Sequence, residues 1–127
     1  MTKVCHVGAP AIFALEQACK TLNDAFGDFR CYLVGSALER PDWRDVDVRY
    51  ILPDDEFAKL FPDANMSAGA AWEFDNRWIW LCVSISERLS KLTGLPIDFQ
   101  FQPQSWANER HDKGRHPLGV RFAREER

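Results

Sequence analysis

At 127 residues the chain has room for one domain, and a composition of 46% hydrophobic and 13% aromatic residues is ample for one core. That composition excludes a disordered chain, and a formal net charge of −3 excludes a protein that coats nucleic acid over its whole surface. No apolar run approaches membrane-spanning length, and the N-terminal MTKVCHVGAP lacks the long apolar centre of a signal peptide, so the expectation is a cytoplasmic protein with no membrane partner.

Pro10 suits the first turn of a helix. Ile12, Leu15, Cys19, Leu22 and Phe26 then recur at spacings of three and four, which predicts one buried helical face, with Glu16, Gln17, Lys20 and Asn23 on the other. Gly27 ends that helix. Residues 29–34 read as a short apolar strand stopped by Gly35-Ser36, and residues 37–40 begin a brief helical turn before Pro41. A second strand covers about 44–52. Pro53, Asp54, Asp55 and Glu56 then open a short helix, with acidic residues at its positive end. Residues 62–69 are loop. A long helix follows over about 74–93, with Trp78, Cys82, Ile85, Leu89 and Leu92 on one side. Trp80, Leu81 and Val83 make a second side apolar, which predicts a homodimer or a stable hetero-complex.

Gly94 closes the long helix, and residues 96–102 form a third strand. Ile97, Phe99 and Phe101 lie on one face of it, with Asp98, Gln100 and Gln102 on the other. Beyond Pro103 the chain reads as a basic C-terminal tail, residues 105–127, attached to a core of about 10–104. Between Glu109 and Arg127 six Lys/Arg stand against four Asp/Glu, and Arg110, Lys113, Arg115 and Arg121 could gather into a patch. His111 and His116 read as surface or hydrogen-bonded side chains. The four cysteines, Cys5, Cys19, Cys31 and Cys82, form no Cys-x-x-Cys pair and read as small buried hydrophobes. The expected class is α+β: a small mixed β-sheet of about three to four strands with helices packed on one face.

On the second strand Asp45, Asp47 and Arg49 project one way, and Val46, Val48 and Tyr50 the other. Two carboxylates so close repel unless a cation sits between them, and hard oxygen ligands favour a divalent one. If the third strand lies beside the second, Asp98 joins the pair. Three carboxylates can hold two metals about 3.5–4 Å apart, the recurrent arrangement for in-line attack on a phosphate. Gly35-Ser36 supplies a complement, since a glycine lets the backbone approach a phosphate and the Ser36 hydroxyl adds a donor. Arg44 and Arg49 flank the acidic pair as candidate triphosphate contacts, and for Arg49 a salt bridge to a neighbouring aspartate is an equal alternative.

VGS, then DVDV, then PIDFQF, over roughly residues 29–102, resembles the nucleotidyltransferase superfamily that includes DNA polymerase β, above all its minimal single-domain members. The resemblance implies a nucleotidyltransferase-like fold. It also implies transfer of a nucleoside monophosphate from a nucleoside triphosphate to an acceptor hydroxyl, with two magnesium ions (or manganese) and release of pyrophosphate. On this likeness Asp45, Asp47 and Asp98 are both catalytic and metal-binding, and Gly35, Ser36, Arg44 and Arg49 bind the nucleotide. Minimal members modify a partner protein or a tRNA in toxin–antitoxin or defence systems, and some bind without catalysing, so an inactive nucleotide- or partner-binding module is the competing expectation. The acidic body and the tryptophans favour a protein acceptor. Only eight residues separate Ser36 from Asp45, fewer than that family usually shows, so the loop carrying Pro41 and Trp43 is short.

Overall fold

Apolar residues at spacings of three and four wind into two long helices, and alternating ones lay down the sheet beneath them. The computed structural model describes residues 5–120. Its helices are α1 (Ala11–Ala25), α2 (Ser36–Glu39), α3 (Asp54–Leu60), α4 (Asn76–Thr93) and α5 (Gln104–Arg110), with a 3₁₀ turn at Ala71–Phe74. The strands are β1 (Arg30–Val34), β2 (Val46–Leu52), β3 (Ile97–Pro103) and β4 (His116–Leu118). They form one mixed sheet in the order β3-β2-β1-β4, with β2 and β3 parallel and the other pairs antiparallel. The fold is therefore α+β, as the pattern predicts. No helix among the described residues is long and apolar enough to cross a membrane.

Val46, Val48 and Tyr50 of β2, Ile97, Phe99 and Phe101 of β3, and Cys31 and Leu33 of β1 share one core with Leu15 and Cys19 of α1 and Trp78, Cys82 and Leu89 of α4. All four cysteines are buried and free, as small hydrophobes should be. Asp75 sets the start of α4, its Oδ2 accepting from Trp78 N at 3.0 Å, and Gly94 ends the helix in the left-handed conformation. Leu92, expected on the buried side, is instead half-exposed. The second apolar side is as expected, with Trp80 74% exposed.

Helix α4 also closes an edge of the sheet. An edge strand presents unpaired N–H and C=O groups to any passing chain. On β3, Ser90 Oγ accepts from Ile97 N at 3.0 Å, and Ser86 Oγ accepts from Phe99 N at 2.9 Å and donates to Phe99 O at 3.3 Å. Trp78 Nε1 donates to Phe101 O at 2.9 Å. Trp78, Ser86 and Ser90 recur at multiples of four, so one polar-tipped stripe runs along the strand edge.

The largest departure from the sequence reading follows Pro103. Residues assigned to a tail fold instead into α5 and β4, and β4 pairs with β1 through Cys31↔Leu118. Two residues of α1 assigned to an outer face are buried and receive that strand. Glu16 Oε1 accepts from Gly119 N at 2.6 Å. Asn23 Nδ2 donates to Leu118 O at 3.1 Å, and its Oδ1 accepts from Cys31 N at 2.8 Å. His116 Nε2 lies 3.8 Å from Glu16 Oε2, and His111 Nε2 lies 3.0 Å from Gln102 Oε1, so the histidines are held separately. Arg121, Arg124 and Arg127 lie outside the described residues.

Ser86→Ala leaves the Phe99 N–H without its acceptor. The expected result is a loss of about 1–3 kcal/mol in urea denaturation; an unchanged midpoint would show that the edge does not depend on this side chain.

Candidate active site

One end of the sheet gathers the last residue of β1 and the first residues of β2 and β3. Gly35 leaves β1 with φ 76° and ψ −153°, a combination open to glycine and strained for other residues. A Cβ there would collide with Asp47 Oδ2. The Gly-Ser turn therefore lies directly against the second aspartate. Ser36 begins α2, and Leu38 N donates to Gly35 O at 3.1 Å. The short connection to β2 is pinned at Trp43, whose Nε1 donates to His6 O at 2.9 Å.

Parallel pairing places Asp47 opposite Asp98. Both are partly buried, while Asp45 is exposed just ahead of β2. Burial pushes the Asp47 carboxyl above its ordinary range, Arg49 pulls it back, and the charges of Asp98 and Asp45 push it up further. All three candidate carboxylates thus bear electrostatically on one point.

Of the two readings open for Arg49, the structure contains the intramolecular one. The residue is 8% exposed, and its Nη1 donates to Asp98 O at 2.7 Å and to Val48 O at 3.1 Å. Nη2 lies 3.4 Å from Asp98 Oδ2 and 3.9 Å from Asp47 Oδ1. Its Nε is buried without a partner. Arg44 is exposed in the turn before β2.

Hard oxygen donors of net negative charge suit a divalent cation. The guanidinium of Arg49 shows that a positive group is accommodated beside Asp47 and Asp98. Among the described residues, however, no three His, Cys, Asp or Glu side chains are drawn together as a finished metal cage.

Farther along the same face the His111 pKa is lowered, mainly by burial and then by Arg49, Arg115 and Arg110. Beside Asp98 a groove of about 320 Å3 opens between α4 and β3, lined in part by Ile79, Val83, Ser86 and Glu87. The apolar periodicity of α4 gave no hint of it, because the lining mixes two sides of the helix. A larger cavity of about 460 Å3 lies between α1 and α4, away from the aspartates. Compared with protein-family models, curated proteins and solved structures, the chain matches none.

Two consequences can be measured. Gly35→Ala should cost roughly 1–3 kcal/mol in backbone strain alone, before the collision with Asp47 is counted; wild-type stability in a thermal melt would contradict the tight turn. The second concerns pH. The folded-state pKa of Asp47 lies above its unfolded value, so the carboxyl is most favourable below the ordinary carboxylate range. That stability is lost as pH rises through the raised pKa. Asp47→Asn should therefore gain on the wild type as pH rises from the ordinary carboxylate range through the raised pKa. A difference that is flat or runs the other way in pH-dependent unfolding would refute this.

Proposed function

We propose that the protein is a magnesium-dependent nucleotidyltransferase, moving a nucleoside monophosphate from a nucleoside triphosphate to an acceptor hydroxyl and releasing pyrophosphate. The observation that carries the reading is the in-register pair Asp47 and Asp98 beside a Gly35 with no room for a side chain. A carboxylate cluster and a close-approach backbone turn then share one end of the sheet.

Asp45, Asp47 and Asp98 are the residues that would hold the two magnesium (or manganese) ions. When bound, such ions supply neutralisation of the triphosphate and a more acidic acceptor hydroxyl. The remaining work falls to the chain itself. Gly35 admits phosphate oxygens to the backbone, Ser36 offers a hydroxyl donor, and the exposed Arg44 can reach the triphosphate. The side chain of Asp98 is 47% exposed against 26% for Asp47, which suits it to take the proton of the acceptor hydroxyl. Arg49, tied to two backbone carbonyls, keeps the paired carboxylates aligned.

The acceptor in this reading is a partner protein, with tRNA as the alternative, in a cytoplasmic toxin–antitoxin or defence setting. Exposed Trp80 supports assembly with a second copy or a partner. The described residues after Gln104, where Arg110 lies over Trp106 at 4.5 Å and Arg115 over Tyr32 at 4.7 Å, set only three Lys/Arg against two Asp/Glu, thin charge for holding RNA.

Arg49 also favours a second reading, a binding module that does not catalyse. Its guanidinium already offsets the charge that a metal would neutralise. Titration calorimetry with each nucleoside triphosphate, with and without magnesium, together with a pyrophosphate-release assay, separates the two. The expected outcome is magnesium-dependent binding with release, and a fall of about a hundredfold or more in Asp45→Asn, Asp47→Asn and Asp98→Asn. Binding without release assigns the module. A variant with near-wild-type turnover removes that residue from the site, and absence of binding removes both readings.

A further inference from the structure

Two exposed aliphatic side chains stand beside a candidate catalytic carboxylate. Ile79 and Val83, 39% and 54% exposed, line the groove between α4 and β3, whose polar lining is Ser86, Glu87, Gln100 and Asp98. Among the described residues no lysine, arginine or histidine lines it. We propose that this groove seats a polypeptide segment whose side-chain hydroxyl meets Asp98 and whose neighbouring residues are apolar and basic. The role of Asp98 here rests on the nucleotidyl-transfer reading, whereas the docking does not.

Three features select this occupant. Ile79 and Val83 form an apolar wall open to solvent, and apolar side chains from a partner gain by covering it. Glu87, with an Asp98 that Arg49 offsets only in part from 3.4 Å, leaves the groove acidic, so the phosphates of a polynucleotide are repelled and lysine or arginine is attracted. The outward backbone groups of β3 at this point are taken, Phe99 N and O by Ser86 and Ile97 N by Ser90. The occupant therefore does not join the sheet as an extra strand and is read through its side chains. In the transfer itself the hydroxyl oxygen bonds to the α-phosphorus and its proton passes to Asp98. The bond from the α-phosphorus to the bridging oxygen breaks, and pyrophosphate leaves with that electron pair.

The test uses the full chain and fluorescein-labelled peptides with a central Ser, Thr or Tyr flanked by Leu and Lys, matched peptides with Glu replacing Lys, and a single-stranded oligouridylate. Fluorescence anisotropy without nucleotide should show the Lys peptides binding about tenfold or more tightly than the Glu peptides. Val83→Ser, a neutral change at an exposed site, should keep the thermal midpoint and weaken Lys-peptide binding about tenfold by removing part of the apolar wall. Glu87→Lys should reverse the preference between the two peptide sets. Peptide binding untouched by both substitutions, no peptide binding at all, or oligouridylate binding that Val83→Ser abolishes each overturns the proposal. Groove-dependent peptide binding without pyrophosphate release supports the docking and sinks the transfer reading. Pyrophosphate release without peptide binding does the reverse.

Discussion

The parallel pairing of β2 with β3 is the contact on which both the core and the candidate site depend. Its register runs from Val46↔Ile97 to Leu52↔Pro103, and it sets Val48 beside Phe99 and Tyr50 beside Phe101 on the helix-covered layer. The same register sets Asp47 beside Asp98 on the opposite layer. A slip of one residue would turn every one of these side chains to the wrong face. Parallel neighbours also require a crossover of a dozen or more residues. The segment containing α3 and α4 supplies it, and α4 then covers the face of the sheet and satisfies its edge. Burial of the aromatics thus enforces the approach of the two carboxylates.

That approach costs energy, because adjacent strands lie about 4.8 Å apart and the like charges face each other. Arg49 is the internal response, with its guanidinium tied to the Val48 and Asp98 carbonyls and turned toward both carboxylates. The response is incomplete. The Asp47 carboxyl stays pushed up despite Arg49, since burial outweighs that cation and Asp98 and Asp45 add to it. The ionised carboxylates thus remain disfavoured at the point where Gly35 brings the backbone closest.

Much of this was legible in the sequence, and the misses share one cause. The periods of α1 and α4, the alternation of β3 and the glycine at the end of β1 each depend on near neighbours, and each was read correctly apart from Leu92, which is half-exposed near the end of α4. Asp47 and Asp98 were placed together because both fall on the polar faces of adjacent strands. Glu16 and Asn23 were misread as outward because a polar residue is counted as solvated by default. Their partners are backbone groups 103 and 95 residues away, which no local pattern reveals. The strand that supplies them, β4, spans three residues including Pro117, too short to alternate visibly. Ser86 and Ser90 were passed over for the same reason, being polar side chains partly buried against a strand edge.

The fourth strand also changes what the C-terminal region is for. β1 is held between β2 on one side and β4 on the other, and Gly35 is the residue that leaves it. Fixing β4 onto α1 through Glu16 and Asn23 therefore steadies the strand from which the Gly-Ser turn departs. Removing the chain after Gln104 would take away a sheet strand, nearly all of α5, Trp106 with the Arg110 stacked on it, and the Arg115 stacked on Tyr32, rather than a solvated appendage. The described residues after Gln104 set three Lys/Arg against two Asp/Glu, little net charge for gripping a polyanion. On the proposed transfer reading, selection of the acceptor falls to surfaces nearer Asp98, where the side of the domain formed by α4 and β3 is acidic and apolar.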